Sequence, residues 1–159
     1  MSLDTAGIRY PWAEAPENGT AIEVADGILW IRMPLPMTLN HVNIYALDEG
    51  DSWTLIDCGV YSKTSVALWE PLLAGALGGK PVGRVILTHH HPDHVGMAGW
   101  FKARFGAEIA TTRTAFLMTR MLILDEQTEA TTESIAVRKS AGMDPEVLAH
   151  RRQARRSHF

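Results

Sequence analysis

The stretch Thr88-His89-His90-His91-Pro92-Asp93-His94 constrains this chain more than any other. It follows the apolar run Val85-Ile86-Leu87, which is introduced by Pro81-Val82-Gly83-Arg84. An apolar, β-branched run bounded by Gly and Pro predicts a short buried strand. That strand must end in a loop rich in imidazole and carboxylate, the usual ligands of zinc and related divalent ions.

The spacing has consequences. In an extended segment, residues two apart project to the same side, so His89 and His91 converge while His90 points away. Pro92 fixes its own φ and biases His91 towards an extended conformation, which is expected to delay any helix until after the ligands. Asp93 and His94 follow too closely to lie far from the first pair, and a second ion fits beside the first. Two ions about 3.5–4 Å apart clamp a bridging water and polarise a substrate oxygen. The plain alternative is a His-rich surface loop without metal. The order strand, Thr, H-x-H-x-D-H and then Gly96 is far more constrained than a lone His pair, and it favours the metal.

Composition bounds the rest. A chain of 159 residues is one domain's worth and hides about 70% of its unfolded surface. A net charge of −3 supplies no overall drive towards nucleic acid. A single cysteine, Cys58, excludes an intrachain disulfide and reads as a small buried residue rather than a nucleophile. No signal sequence opens the chain, and no apolar run approaches the ~20 residues of a membrane span. These features lead to an expected cytoplasmic setting and a small-molecule substrate, with neither a membrane nor a nucleic acid as partner. The one basic cluster, Arg151-Arg152-Gln153-Ala154-Arg155-Arg156, reads as a solvated helix face without interleaved aromatics.

Residues 1–20 read as an irregular arm. Ile22–Met33, broken by Asp26-Gly27, predicts a hairpin. Val42–Leu47 and Trp53–Ile56 are the next strands, joined by Asp48-Glu49-Gly50-Asp51 with turn chemistry. Lys63–Leu77 is expected to be a helix burying Val66, Leu68, Trp69, Leu72, Leu73 and Leu77, with Gly78-Gly79 as its stop. Val82–Leu87 then delivers the His motif. A helix over Gly96–Phe105 follows, with Trp100 and Phe101 in the core. A short strand over Glu108–Thr111 and a helix over Thr114–Leu124 come next. The run Leu117-Met118…Met121-Leu122 is expected in the core, with an apolar cleft wall as the alternative. Residues 125–159 are helix-compatible, with Gly142 as a stop and Asp144-Pro145 opening a last helix.

With these residues in view, the chain resembles the metallo-β-lactamase superfamily, whose hallmark is H-x-H-x-D-H after a short strand. Thr88 to Gly96 matches without a gap, and Thr54-Leu55-Ile56-Asp57-Cys58-Gly59 is similar to the family's L-I-D-T-G element, with Cys58 where Thr is common. Asn43-Ile44-Tyr45, Leu35-Pro36 and Asn40-His41-Val42-Asn43 resemble a glyoxalase II-like bacterial branch. The resemblance implies an α+β fold, the αββα sandwich, of which residues 1–159 supply the N-terminal αβ half of a domain truncated at its C-terminal end. It implies His89 and His91 on one metal, and Asp93 and His94 on a second. Asp93 would also orient a metal-bound hydroxide, and Asp57 would sit behind the ligands. The alternative for Asp57 is a turn-forming Asp before Gly59. His41 is a candidate substrate contact, with a structural His bonded to loop backbone as the alternative. The metal is expected to be Zn, with Fe or Mn compatible with the same ligands.

The family's site also needs two further His and a bridging Asp from downstream. The histidines there, His150 and His158, sit in no Gly-rich turn after a strand, and Asp125 and Glu126 follow a helix-like run. A free-standing half would expose the apolar sheet face meant for its mate, which predicts self-association. Four readings of function follow. The first is a metal-dependent hydrolase acting on an ester, thioester, lactone or amide carbonyl. The others are a weakly metal-binding fragment without catalysis, a nuclease, and a mononuclear iron oxygenase of the same superfamily.

Overall fold

Alternating apolar residues in the first half of the chain become a mixed six-stranded sheet in the order β1-β2-β3-β4-β5-β6. The computed structural model describes residues 11–124 and 130–153. Strands β1 (Ala21–Ala25) and β2 (Ile28–Pro34) form the expected antiparallel hairpin. Its turn needs a left-handed residue, which Gly27 supplies at φ 67°. Strand β3 (His41–Asp48) pairs antiparallel with β2, and β4 (Trp53–Ile56) pairs antiparallel with β3. Strands β5 (Val82–Leu87) and β6 (Glu108–Thr111) then add in parallel.

Parallel neighbours require crossovers. The first is α1 (Lys63–Ala74). The second is α2 (Pro92–Val95) followed by α3 (Ala98–Phe105). One face of the sheet receives the buried residues of α1 and α3. Ile31, Ile44, Leu55 and Val85 on the strands are 0% exposed, and they cluster with Trp69, Leu72 and Phe101 from the helices. Trp69 and Phe101 meet edge to face, with ring centroids 4.9 Å apart. That is the arrangement favoured by their quadrupoles.

Helix α1 stops earlier than the Gly78-Gly79 pair implies. Ser62 caps its start by accepting from the Ser65 N–H, but the helix ends at Ala74, with Gly75 at φ −96° and ψ −90°. The chain continues as turns in which the Leu77 N–H still reaches the Leu72 carbonyl, so Leu77 remains fully buried. The expectation of a helix-free motif is also corrected. Helix α2 begins at Pro92 itself, so Asp93 and His94 lie in a helical turn. Proline lacks the N–H that a first helical position would leave unpaired anyway, and its φ suits that position.

The chain divides into two compact units, Met1–Ala115 and Phe116–Phe159. Helix α4 (Arg113–Leu124) spans the division. In the second unit, α5 (Thr132–Ser140) is capped by Thr131, and Gly142 follows at φ 77°. Asp144 accepts from the Glu146 N–H at the start of α6 (Pro145–Gln153), as the Asp-Pro pair predicts. The Met-rich stripe departs from expectation. Leu117 is 56% and Met121 49% exposed, and Met118 and Leu122 are half-buried, so none of the four is a fully buried core residue. An apolar stripe marks which residues would gain from burial, and tertiary contact decides which of them obtain it. Among the described residues, no helix is long and apolar enough to cross a membrane.

Candidate metal centre

The site forms where two parallel strands end side by side. Ile56 of β4 pairs with Ile86 of β5, so the residues leaving both strands emerge together. The carboxyl ends of parallel strands are where open sheets place their functional loops. Asp57 follows β4 directly and is the one non-glycine described residue with positive φ, at 62°. Aspartate tolerates this region better than most residues, because its short side chain bonds locally. Here the conformation lets the Asp57 N–H reach the Ile86 carbonyl at 2.8 Å while the carboxylate turns towards the loop after β5.

That carboxylate is a hub. Oδ1 accepts from the Thr88 N–H at 2.8 Å, and Oδ2 accepts from the Thr88 hydroxyl at 2.8 Å. Oδ2 also lies 2.8 Å from Nδ1 of His94. The Thr88 hydroxyl donates its proton to Asp57, so its lone pairs are free for Nδ1–H of His89, 3.0 Å away. Asp57 therefore places the protons of His89 and His94 on Nδ1 and leaves both Nε2 atoms with lone pairs. This is how carboxylates set imidazoles for metal binding. Thr88 belongs to the motif, but the sequence assigned it no role. Its signal is its position, immediately before the first histidine.

The Nε2 atoms face other donors. Nε2 of His89 lies 3.0 Å from Nδ1 of His91. Nε2 of His94 lies 3.3 Å from Oδ2 of Asp93. At zinc–ligand lengths of about 2.0–2.2 Å, two donors of a tetrahedral ion stand about 3.3–3.5 Å apart. Each pair thus approximates one edge of a coordination shell, and its lone pairs oppose each other unless a proton or a cation lies between them. The donor chemistry fits divalent metal, with His89 and His91 as one pair and Asp93 and His94 as the other. The rings of His89 and His94 are 4.0 Å apart, which draws the two pairs together. Among the described residues, no group of three or more such side chains is arranged to hold one ion.

Electrostatics follow from this geometry. Burial pushes the Asp57 carboxyl up, but hydrogen bonds from His94 and Thr88 together hold it below the ordinary aspartate value. The hydrogen bond to Asp57 holds His94 above the ordinary histidine value, against the opposing effect of burial. Burial, then the nearby imidazoles of His94 and His91, lower His89 and favour its neutral form.

Packing holds the loop in place. The Cys58 N–H and Sγ both donate to the His94 carbonyl at 3.0 Å, and the Met97 N–H bonds the Gly59 carbonyl at 3.0 Å. Cys58 is fully buried, as expected, and burial raises its thiol pKa far above the ordinary value. The indole N–H of Trp69 donates to the Cys58 carbonyl at 3.2 Å, tying α1 to the site. Gly96 is enclosed so tightly that a Cβ would stand 2.6 Å from both the Pro92 carbonyl and the Tyr61 nitrogen.

His41 lies at the same end of the sheet, as the first residue of β3 opposite Pro34. Its Nδ1 is 2.8 Å from Nη2 of Arg32 and 2.7 Å from the Asn40 side chain. Nδ1 thus faces a donor, Arg32, and an acceptor, Oδ1 of Asn40, and burial, then the Arg32 charge, hold the His41 pKa below the ordinary histidine value. His150 lies exposed on α6. His158, Asp125 and Glu126 lie outside the described residues.

The mixed sheet thus carries a His–His pair and an Asp–His pair at its parallel strand ends, within an α+β architecture. The sequence pattern of the metallo-beta-lactamase superfamily matches residues 37–148, and the chain belongs to that superfamily. Over 77 residues it is 39% identical to the probable metallo-hydrolase YqjP of Bacillus subtilis (strain 168), a match covering 48% of this chain and 24% of that protein. A beta-lactamase domain protein of Burkholderia ambifaria superposes with a TM-score of 0.66 at 35% identity, over 73% of this chain and 39% of the other. A metallo-beta-lactamase family protein of Thermus thermophilus superposes with a TM-score of 0.62 at 25% identity, over 86% of this chain and 46% of the other. The chain thus spans about a quarter of its curated relative and less than half of each of these structures, and its α+β architecture corresponds to part of the family's sandwich.

Proposed function

We propose that this chain carries half of the active site of a metal-dependent hydrolase acting on an ester or thioester carbonyl. The observation that carries the reading is the Asp57 hub, which directs the Nε2 lone pairs of His89 and His94 towards partner donors at one strand end. A divalent ion, zinc by ligand type, supplies a Lewis acid that acidifies water and polarises the carbonyl. His89 and His91 would hold one such ion, and Asp93 and His94 a second. The free carboxylate oxygen of Asp93 accepts a hydrogen bond from the attacking water and orients it, while Asp57 holds the imidazoles against rotation. The ester or thioester preference follows the glyoxalase II-like features Asn40-His41-Val42-Asn43 and Leu35-Pro36. A cytosolic setting belongs to the same reading, since the single cysteine is buried and needs no oxidising compartment.

The test is hydrolysis of a thioester and aryl ester panel by the zinc-loaded protein and its Asp93→Ala variant, with metal content measured on both. Asp93→Ala is expected to lower turnover at least about 10³-fold, the usual effect of losing a positioned acid–base group in a metal site. Equal turnover by both proteins would sink the assignment.

A further inference from the structure

Neither core packing nor the metal donors account for Arg32 and His41, which sit near the tip of the β2–β3 hairpin. The hairpin outruns β4. That strand ends at Ile56 opposite Tyr45, whereas Ile44, Asn43, Val42 and His41 continue to pair with β2. At about 3.4 Å per residue the overhang extends about 14 Å. It lies at the end where β4 gives way to Asp57, and it borders the segment leaving for the metal loop. A Cβ on Gly59 would stand 3.7 Å from Ile44 and 3.8 Å from Met33. Within the overhang, Arg32 is short of acceptors. Its guanidinium carries five N–H donors and a permanent positive charge. Its Nε is buried without a hydrogen-bond partner, so the charge must be balanced at the Nη end. There Nη2 meets Nδ1 of His41 at 2.8 Å, and Nδ1 meets Oδ1 of Asn40 at 2.7 Å. A proton on Nδ1 serves Asn40 and leaves Arg32 facing a donor. Without that proton, Arg32 gains one lone pair and Oδ1 of Asn40 faces another. The oxygen of Asn43, opposite Arg32, already accepts from the Trp30 indole at 2.9 Å. Lys80, Arg84 and Arg104 each pair with a carboxylate, but among the described residues none lies within ion-pair distance of the half-buried Arg32.

We infer that Arg32, flanked by His41 and Asn40, binds an anionic group of the substrate, a carboxylate by fit. A partly desolvated cation with no counter-charge is costly, and a bound anion offsets that cost. The planar guanidinium fork matches a carboxylate, and charge-assisted hydrogen bonds of this kind are the strong ones. The inference rests on the hydrolase reading for where the reaction occurs, and it narrows the substrate to esters or thioesters that also bear an acidic group. Strand β2 lies two strand spacings, about 10 Å, from β4. The acidic group therefore stands several bonds away from the scissile carbonyl. Binding energy gathered at such a remote group serves to orient the carbonyl at the metal loop. His41 acts here as a positioning residue, holding the Nη end of Arg32 at the hairpin tip.

The test is an NMR titration of the metal-free 159-residue chain with propionate, at constant ionic strength, following the Arg32 Nε–H and the His41 ring. Propionamide, chloride and inorganic phosphate are run in parallel. The expected result is a saturable shift of both signals with propionate, at a millimolar dissociation constant, and none with propionamide or chloride. Arg32→Gln should abolish the His41 response. The titration of the unsubstituted chain needs no variant to fold, no metal and no turnover, so it stands or falls apart from the hydrolase reading. Signals that do not move, or that move equally with chloride, would overturn the inference. Tighter binding of phosphate than of propionate would overturn the carboxylate assignment. Where the zinc-loaded chain turns over esters, a half-ester of a dicarboxylic acid should be preferred over the neutral diester. That preference in kcat/KM should fall at least about tenfold in Arg32→Gln. A preference that survives the substitution would place the acidic group elsewhere and refute the role of Arg32.

Discussion

Replacing Asp57 with Asn changes one atom's role and tests the logic of the site. The native carboxylate accepts from three donors: the Thr88 N–H, the Thr88 hydroxyl and Nδ1–H of His94. The amide oxygen of the variant can keep the Thr88 N–H, but its NH₂ then stands where Oδ2 stood and faces two donors. Both can adapt. The Thr88 hydroxyl can rotate to accept, and His94 can move its proton from Nδ1 to Nε2. Fold stability is therefore expected to fall by only about 1–3 kcal/mol, the difference between charged and neutral hydrogen bonds at a buried site. The φ of 62° adds little, since Asn is as comfortable there as Asp. Metal binding should suffer more, because the tautomer that satisfies the introduced amide protonates the very Nε2 that faces Asp93. Losing such a support costs about 10–100-fold in metal affinity. Urea unfolding followed by tryptophan fluorescence reads the first quantity, since Trp69 is buried and bonded to the loop at Cys58. Competition with a chromophoric chelator at pH 7 reads the second. A variant that binds zinc within about twofold of the parent would refute the claim that Asp57 sets the imidazole tautomers.

Gly96→Ala should destabilise by at least about 3 kcal/mol or prevent folding. Its Cβ would stand 2.6 Å from the backbone at Pro92 and Tyr61, with no flexible side chain to yield, and a stability within about 1 kcal/mol of the parent, the scale of a surface change, would contradict the packing. In metal-free protein, NMR titration should find His94 above the ordinary value of about 6.5, and His89 and His41 below it. The raised His94 contributes stability that is complete below about pH 6.5 and lost as pH rises through its folded value. The depressed Asp57 contributes stability that is complete above about pH 3.9 and lost as pH falls through its lower folded value. The lowered His89 and His41 act in the opposite sense to His94, and their share is lost as pH falls below about 6.5. The gap in unfolding free energy between the parent and Asp57→Asn isolates the pair. It should be widest between about pH 4 and 6.5 and shrink above that range, and a gap that grows towards pH 8 would count against it.

Much of the fold was legible in the chain itself. The strand β5 and its His loop, the hairpin at Asp26-Gly27 and the cap at Asp144 each depend on a residue whose own backbone chemistry admits few alternatives. The donor types gathered at the strand end were legible for the same reason, since imidazole and carboxylate at i, i+2, i+4 and i+5 have a chemistry independent of their surroundings. Where sequence reasoning failed, the answer depended on neighbours distant in the chain. The helix at Lys63 stops at Ala74 rather than at the Gly pair, because Gly75 leaves helical geometry while Leu77 is still held in the core. The Met stripe of α4 looked like core, yet Leu117 and Met121 are exposed and Met118 and Leu122 only half-buried, since periodicity specifies a face but not what covers it.

The role of Thr88 is the clearest case of what only the tertiary structure decided. The chain by itself determined that a strand would deliver His89, His91, Asp93 and His94 together. Only the parallel pairing of β4 with β5 brings Asp57 against Thr88, thirty-one residues away in the chain, and so sets which nitrogen of each imidazole carries its proton. A proton's position on a ring follows from the hydrogen-bond partner that faces it, and such partners exist only once the sheet has formed.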